Sequence, residues 1–221
     1  MRMTAFRYGK TEITQRMAFQ NGDDNVKIPI GLLFFLIEED NRKILVDAGC
    51  DTMPGFELFE FEEPVRVLES YGVGREEITD VIITHAHHDH IDAVYNYTEA
   101  TVYVHRKEFE SGKKYLKNSK NVAVFDNDKK ITDNTQIKYV GGHSYGSCVV
   151  HVCAGEKTYV LCGDECYTKE NIEKNILTGC SVSLENSQKF IDEFKNESYI
   201  PIIFHDSELV TEIGFRVLYE G

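Results

Sequence analysis

Residues 84–93, THAHHDHIDA, place four of the chain's eight histidines within six positions and add two aspartates. Charged and half-charged groups at this density cost free energy inside a fold unless something pairs them. The stretch is therefore either a solvated loop or a metal site. It follows DVIIT (80–84), a short apolar run that reads as a buried strand, so the cluster begins where a strand ends.

Three more residues share that placement. His143 follows a run ending near Val140, Asp164 follows the run 158–162, and His205 follows the run 200–204. Strand ends along one sheet edge can converge while rigid elements hold their side chains. On an extended segment alternate side chains point the same way, so His85 and His87 reach one ion together. The adjacent Asp89 and His90 turn toward a second ion. With His143, Asp164 and His205 the set comprises five imidazoles and two carboxylates. That is too many for one tetrahedral zinc. It suits two ions about 3.5–4 Å apart with one carboxylate bridging them. His88 is out of phase with His85 and His87 and reads as a non-ligand, lining the pocket or exposed. Asp92 reads as a surface or helix-start carboxylate. His105 and His151 fall inside strand patterns, away from strand ends, and receive no role.

The remaining pattern is strands, helix, strand, helix, strands, helix, strands. IGLLFFLIEEDNRKILVDAG is a hairpin turning at Glu39–Arg42, and EEPVRVLESYG is a helix stopped by Gly72. ATVYVHRKEFESGKKYL is a strand followed by a helix. TQIKYVGG and SCVVHVCAGEKTYVLCGD supply three strands, SLENSQKFIDEFKN a capped helix, YIPIIFHD a buried strand and GFRVLYE an edge strand. Strand-rich halves with helices outside predict an α+β fold of two facing sheets between helices. No repeat and no Pro/Gly/Ser-rich hinge divides the chain, which predicts one domain over 1–221.

Net charge is −13. Nucleic acid, which needs a basic surface, is not expected as a partner; a small, neutral molecule is. No apolar run reaches membrane-spanning length, and the N-terminal segment lacks the apolar centre of a secretory signal, so the expectation is a cytoplasmic protein away from membranes. The six cysteines form no Cys-x-x-Cys pair and read as free, mostly buried small hydrophobes. Oligomeric state is left open.

THAHHDH together with GGHS, GDE and FHD resembles the metallo-β-lactamase fold superfamily, from ILVDAG to near the C-terminus. The resemblance implies a four-layer αβ/βα sandwich with metals at one edge between the sheets. It assigns His85, His87 and His143 to the first metal, and Asp89, His90 and His205 to the second. Asp164 bridges, and Asp47 orients a ligand histidine. True β-lactamases lack the bridging aspartate. GDECYTKENIEKNI and PIIFHD are instead similar to the N-acyl-homoserine lactonase branch, which carries a tyrosine three residues after that aspartate, here Tyr167. The chain departs from the family around the pocket. DHIDAVYN replaces a Gly-rich stretch, GGHSYGS has Ser147 in place of a second histidine, and His88 replaces a commonly apolar residue.

Two close dications convert a bridging water to hydroxide near neutral pH for attack on a carbonyl. Tyr167 would donate to the developing oxyanion, unless it is simply a core tyrosine at the start of segment 167–175. Asp89, a ligand with a free oxygen, would relay a proton to the leaving alkoxide. The expected activity is lactone hydrolysis. A thioesterase or phosphodiesterase on the same site, or a metal-loaded sensor domain, are the alternatives. Zinc is the first choice by ligand type, and iron, manganese, cobalt or nickel accept the same donors.

Overall fold

Alternation along the central strands dictates the layering. In the computed structural model, which describes residues 1–221, the chain opens with β1 (Arg2–Thr14) and α1 (Gln15–Ala18). It then pairs antiparallel through β2 (Lys27–Glu39) and β3 (Arg42–Val46). Helix α2 (Pro64–Ser70) leads to β4 (Asp80–Ile82), α3 (His88–Ile91) to β5 (Thr101–His105), and α4 (Arg106–Gly112) to β6 (Asn121–Phe125). These crossovers make β3, β4, β5 and β6 mutually parallel. A second sheet is built from β7 (Lys129–Lys130), β8 (Thr135–Tyr139), β9 (Cys148–Ala154) and β10 (Lys157–Leu161), all antiparallel. After α5 (Lys169–Glu173) and α6 (Leu184–Glu193), β11 (Tyr199–Ile202) joins β10 in parallel, and β12 (Gly214–Glu220) returns to the first sheet beside β1. The sheet orders are β12-β1-β2-β3-β4-β5-β6 and β11-β10-β9-β8-β7.

Both faces of the inner strands are apolar, so each sheet is covered twice. Leu32, Phe34 and Leu36 of β2 join a 23-residue core with Val67 and Leu68 of α2. Their neighbours Leu33, Phe35 and Ile37 point the other way, into a 17-residue core shared with Ile137, Val150 and Leu161 of the second sheet. Val149 and Val160 face a third core of seven residues with Phe190 and Ile191 of α6. Helices, sheet, sheet and helix thus stack as the four-layer αβ/βα sandwich of an α+β fold. No helix is long and apolar enough to cross a membrane.

The hairpin, the Gly72 stop (φ +97°), the Ser183 cap of α6 and the β12 edge strand agree with the expected pattern. Strand β1 does not emerge from alternation, because Thr4, Arg7 and Thr11 are buried along it among apolar residues. His105 also departs from expectation. It closes β5 and caps α4, its Nδ1 accepting from Lys107 N and its Nε2 lying 3.1 Å from Asp126 O. That explains a buried histidine without any chemistry.

Candidate metal centre

The strand ends deliver their residues to one edge of the sandwich. His85 follows β4, His143 follows β8, Asp164 follows β10 and His205 follows β11. His87 caps α3, which carries Asp89 and His90. The donors fall into two nests, His85, His87, His143 and Asp164 in one, and Asp89, His90 and His205 in the other. Within each, the ligand atoms lie within 4.8 Å of one another. Asp164 belongs to both by geometry. Its Oδ2 lies 3.7 Å from His85 Nε2 and 3.5 Å from His143 Nε2, while its Oδ1 lies 2.9 Å from His90 Nε2 and 3.0 Å from His205 Nε2. Asp89 Oδ2 closes the second nest at 3.7 Å from His90 and 3.8 Å from His205. In the first nest His87 Nδ1 and His143 Nε2 are 2.9 Å apart.

A small polar network sets which ring nitrogens face inward. Asp47, fully buried after β3, adopts φ +60°, a left-handed conformation that aspartate tolerates better than most residues. Its carboxylate accepts from Thr84 N and Thr84 Oγ1, both at 2.7 Å, and from His90 Nδ1 at 2.6 Å. The Thr84 hydroxyl has one proton and gives it to Asp47, so it accepts from His85 Nδ1 at 3.1 Å. Gly31 O accepts from His205 Nδ1 at 2.9 Å. In their neutral form these three imidazoles therefore carry the proton on Nδ1 and turn the Nε2 lone pair inward. Buried His85 Nε2 and His90 Nε2 have no hydrogen-bond partner. Lone pairs packed against a carboxylate repel one another unless positive charge lies among them, so the donor set fits divalent cations.

Protons can also supply that positive charge. Burial disfavours a charged His90, but Asp164, Asp89 and Asp47 outweigh it and hold its pKa well above the ordinary range. His205 is raised in the same way, burial again being overcome, chiefly by Asp164. Burial would raise Asp164, yet His90, His205 and His85 hold it well below a usual carboxylate. His85 lacks comparable support and is pushed well down by burial, as is His143, to about 4.

Beside the nests lies a cavity of about 240 Å³. Its apolar lining is Ile13, Met17, Ile30, Met53, Pro54 and Phe56, and the rest of its lining is His87, His88, Asp89, His143, Asp164, Tyr167, Cys180 and His205. None of the fourteen lining residues is Lys or Arg. Tyr167 is buried and stacks on His205 with centroids 5.1 Å apart and planes 12° apart. Burial, then Asp164, push its phenol pKa well up, so it remains a proton donor. His88 belongs to neither nest; its Nδ1 is 2.9 Å from Tyr115 Oη. Asp92 starts a 3-10 turn and accepts from Asp51 N at 3.2 Å.

Residues 33–197 match the family model of the metallo-beta-lactamase superfamily. The chain belongs to that superfamily. Among curated relatives, the N-acyl homoserine lactonase AiiA of Bacillus thuringiensis subsp. kurstaki is 25% identical over 215 residues, covering 84% of each chain. An N-acyl homoserine lactonase of Bacillus cereus is likewise 25% identical, over 213 residues and with the same coverage. Among solved structures, an N-acyl homoserine lactone hydrolase with N-hexanoyl-L-homoserine at its catalytic metal centre superposes with TM-score 0.82 at 20% identity, covering 94% of both chains. These structural likenesses establish the fold.

Within this metallo-β-lactamase fold, two buried glutamates border the nests that no motif reading singles out. Glu108 of α4 accepts from Ala86 N, Ser144 Oγ and Gly146 N. Glu165 accepts from Gly142 N, His143 N and Ser147 Oγ, and burial pushes its carboxyl up to about 6. A lone glutamate in a helical or GDE context has no spacing signal, so only the folded chain exposes these roles. Cys162 and Cys166, flanking Asp164, are buried and free, as are Cys50 and Cys148; Cys153 and Cys180 are free as well.

Proposed function

We propose that this protein is a dinuclear metal-dependent hydrolase of neutral carboxylic esters, with an N-acyl-homoserine-lactone-like ring as its substrate, and that residues 1–221 act as one metallo-β-lactamase-like domain. The observation that carries the reading is Asp164, whose two oxygens divide between two nests of donors. In this reading His85, His87 and His143 would hold one ion, Asp89, His90 and His205 would hold the other, and Asp164 would serve both. Zinc is the first choice, and the same donors accept iron, manganese, cobalt or nickel. Two such ions, when bound, supply Lewis acidity toward a carbonyl and an activated water.

The chain's own groups do the rest. Tyr167 donates to the carbonyl oxygen as negative charge develops on it. Asp89, which lines the cavity, takes the proton released by the attacking water and passes it to the departing alkoxide. The apolar side of the cavity accepts an acyl chain and keeps water from it. The lactonase names of the curated relatives support this substrate class, and such an activity would quench acyl-homoserine-lactone signalling. A phosphodiester, or a thioester of an acidic thiol, fits less well because no Lys or Arg lines the cavity. Six unpaired cysteines support a cytoplasmic setting.

The test is turnover by metal-replete protein on lactones, thioesters and phosphodiesters side by side, with metal content measured in the same sample. Two equivalents of metal and a clear preference for acylated lactones are expected. A firm single equivalent would remove the dinuclear reading, and preferred phosphodiester cleavage would remove the lactone.

A further inference from the structure

A metal-binding imidazole is ordinarily aimed by a hydrogen bond from the ring nitrogen that faces away from the ion. His85 has Thr84 Oγ1 in that position, His90 has Asp47, and His205 has Gly31 O. His143 has nothing. Its Nδ1 is buried without a partner, although the residue is only 2% exposed. Its ring can be aimed only through packing and its main chain, and the main chain is where two buried carboxylates converge.

Glu165 receives Gly142 N at 3.2 Å, His143 N at 3.1 Å and the Ser147 hydroxyl. Glu108 receives Gly146 N and Ser144 Oγ at 2.8 Å with one oxygen, and Ala86 N at 2.9 Å with the other. Ala86 lies between His85 and His87. Neither glutamate lines the cavity. The approach depends on glycine: a Cβ on Gly142 would lie 2.3 Å from Glu165 Oε2, and one on Gly146 would lie 2.8 Å from Glu108 Cγ. Burying two carboxylates is costly unless their oxygens are satisfied, and here loop donors satisfy them. The loop is thus gripped by Glu165 at Gly142, His143 and Ser147 and by Glu108 at Ser144 and Gly146, and Glu108 ties it to the backbone between the other two histidines of the same nest.

We propose that Glu165 and Glu108 are positioning residues for the His85–His87–His143 nest, setting His143 through its backbone where His85, His90 and His205 are set through their rings. This inference rests on the dinuclear reading above. It predicts a selective effect, because neither carboxylate accepts a hydrogen bond from Asp89, His90 or His205. Loss of an outer contact of this kind weakens metal binding by roughly 10- to 100-fold.

The experiment is chelator-competition titration of cobalt(II) into metal-free wild type, Glu165→Gln and Glu108→Gln, followed by visible absorption, with thermal melts of the metal-free proteins. Wild type should bind two equivalents. Each variant should weaken one class of site by roughly 10- to 100-fold, change that site's absorption band and leave the other class within about twofold. Wild type that saturates at one equivalent overturns the dinuclear reading and this inference with it. Two normal classes in both variants, with lowered melting temperature alone, overturn the inference and leave the dinuclear reading standing; so does equal weakening of both classes. Ser147→Ala removes one donor and leaves Glu165 charged. If the glutamine variants do not fold, a selective weakening in Ser147→Ala supports the proposal, and unchanged binding there overturns it.

Discussion

The two walls of the cavity are built in opposite ways. The donor wall comes from strand ends and one short helix, and directional bonds hold its atoms: Asp47 to His90, Thr84 to His85, Gly31 O to His205. The other set of lining residues is apolar. Ile13 and Ile30 come from β1 and β2, Met17 from α1, and Met53, Pro54 and Phe56 from the loop after β3. Shape and contact area define that side, and methionines can re-pack around different occupants. A wall set by hydrogen bonds admits one arrangement, whereas a wall set by area admits several. Substitutions on the first should change metal content and kcat; on the second they should change KM and chain-length preference.

The largest effect belongs to Asp164→Ala. Both ions should be lost together, and turnover should fall by more than the roughly 10²–10³-fold that loss of one transition-state donor costs. Elemental analysis beside kinetics decides it, and a variant that keeps one tightly held ion breaks the picture of a single carboxylate serving both nests. Tyr167→Phe comes next. The ring still packs against Ile13 and Ile30, so metal content and melting temperature should hold, while kcat falls roughly 10- to 1,000-fold and KM rises less. Unchanged kinetics with lost stability would move Tyr167 from the donor wall to the core.

Acid separates the donor wall from the rest of the fold. His151, in β9 and remote from both walls, is buried with its pKa pushed down to about 4 by burial. Its unfolded pKa is near 6.5, so the unfolded chain binds the proton first. The stability it contributes is complete above pH 6.5 and is lost as pH falls toward 4. Urea unfolding of metal-free wild type and His151→Gln at pH 7.5 and 5 should show the variant losing less, by at most about 2 kcal/mol. The acid sensitivity left in the variant includes that of His85 and His143. Parallel curves for the two proteins would show that His151 is protonated in the fold.

The smaller effects test the apolar wall. Phe56→Ala should leave metal content and kcat nearly unchanged and flatten the gain in kcat/KM per added methylene, which at full burial is about fourfold. A series of acyl-chain lengths measures it, and an unchanged slope would mean the chain lies elsewhere. His88→Ala should leave metal content unaltered, since His88 faces Tyr115 rather than either nest. Loss of an ion in that variant would bring His88 into the donor wall.

The sandwich and the gathering of seven donors were legible in the residues themselves. Apolar alternation locates strands because both neighbours of a pleat are local, and a strand's end locates whatever follows it. The His85–His90 spacing carries its meaning within six residues. The tertiary structure alone decided what depends on distant partners. Strand β1 is hidden because the Arg7 guanidinium pairs with Glu60 and Val210 O and Thr11 with Glu57 O, all far along the chain. The apolar wall is assembled from ordinary residues of three separated segments. Glu108 and Glu165 become meaningful only when folding places their oxygens against the His143 loop. Sequence periodicity reports which face of an element is buried, but the partner that makes a buried polar group tolerable is chosen by the packing of the whole chain.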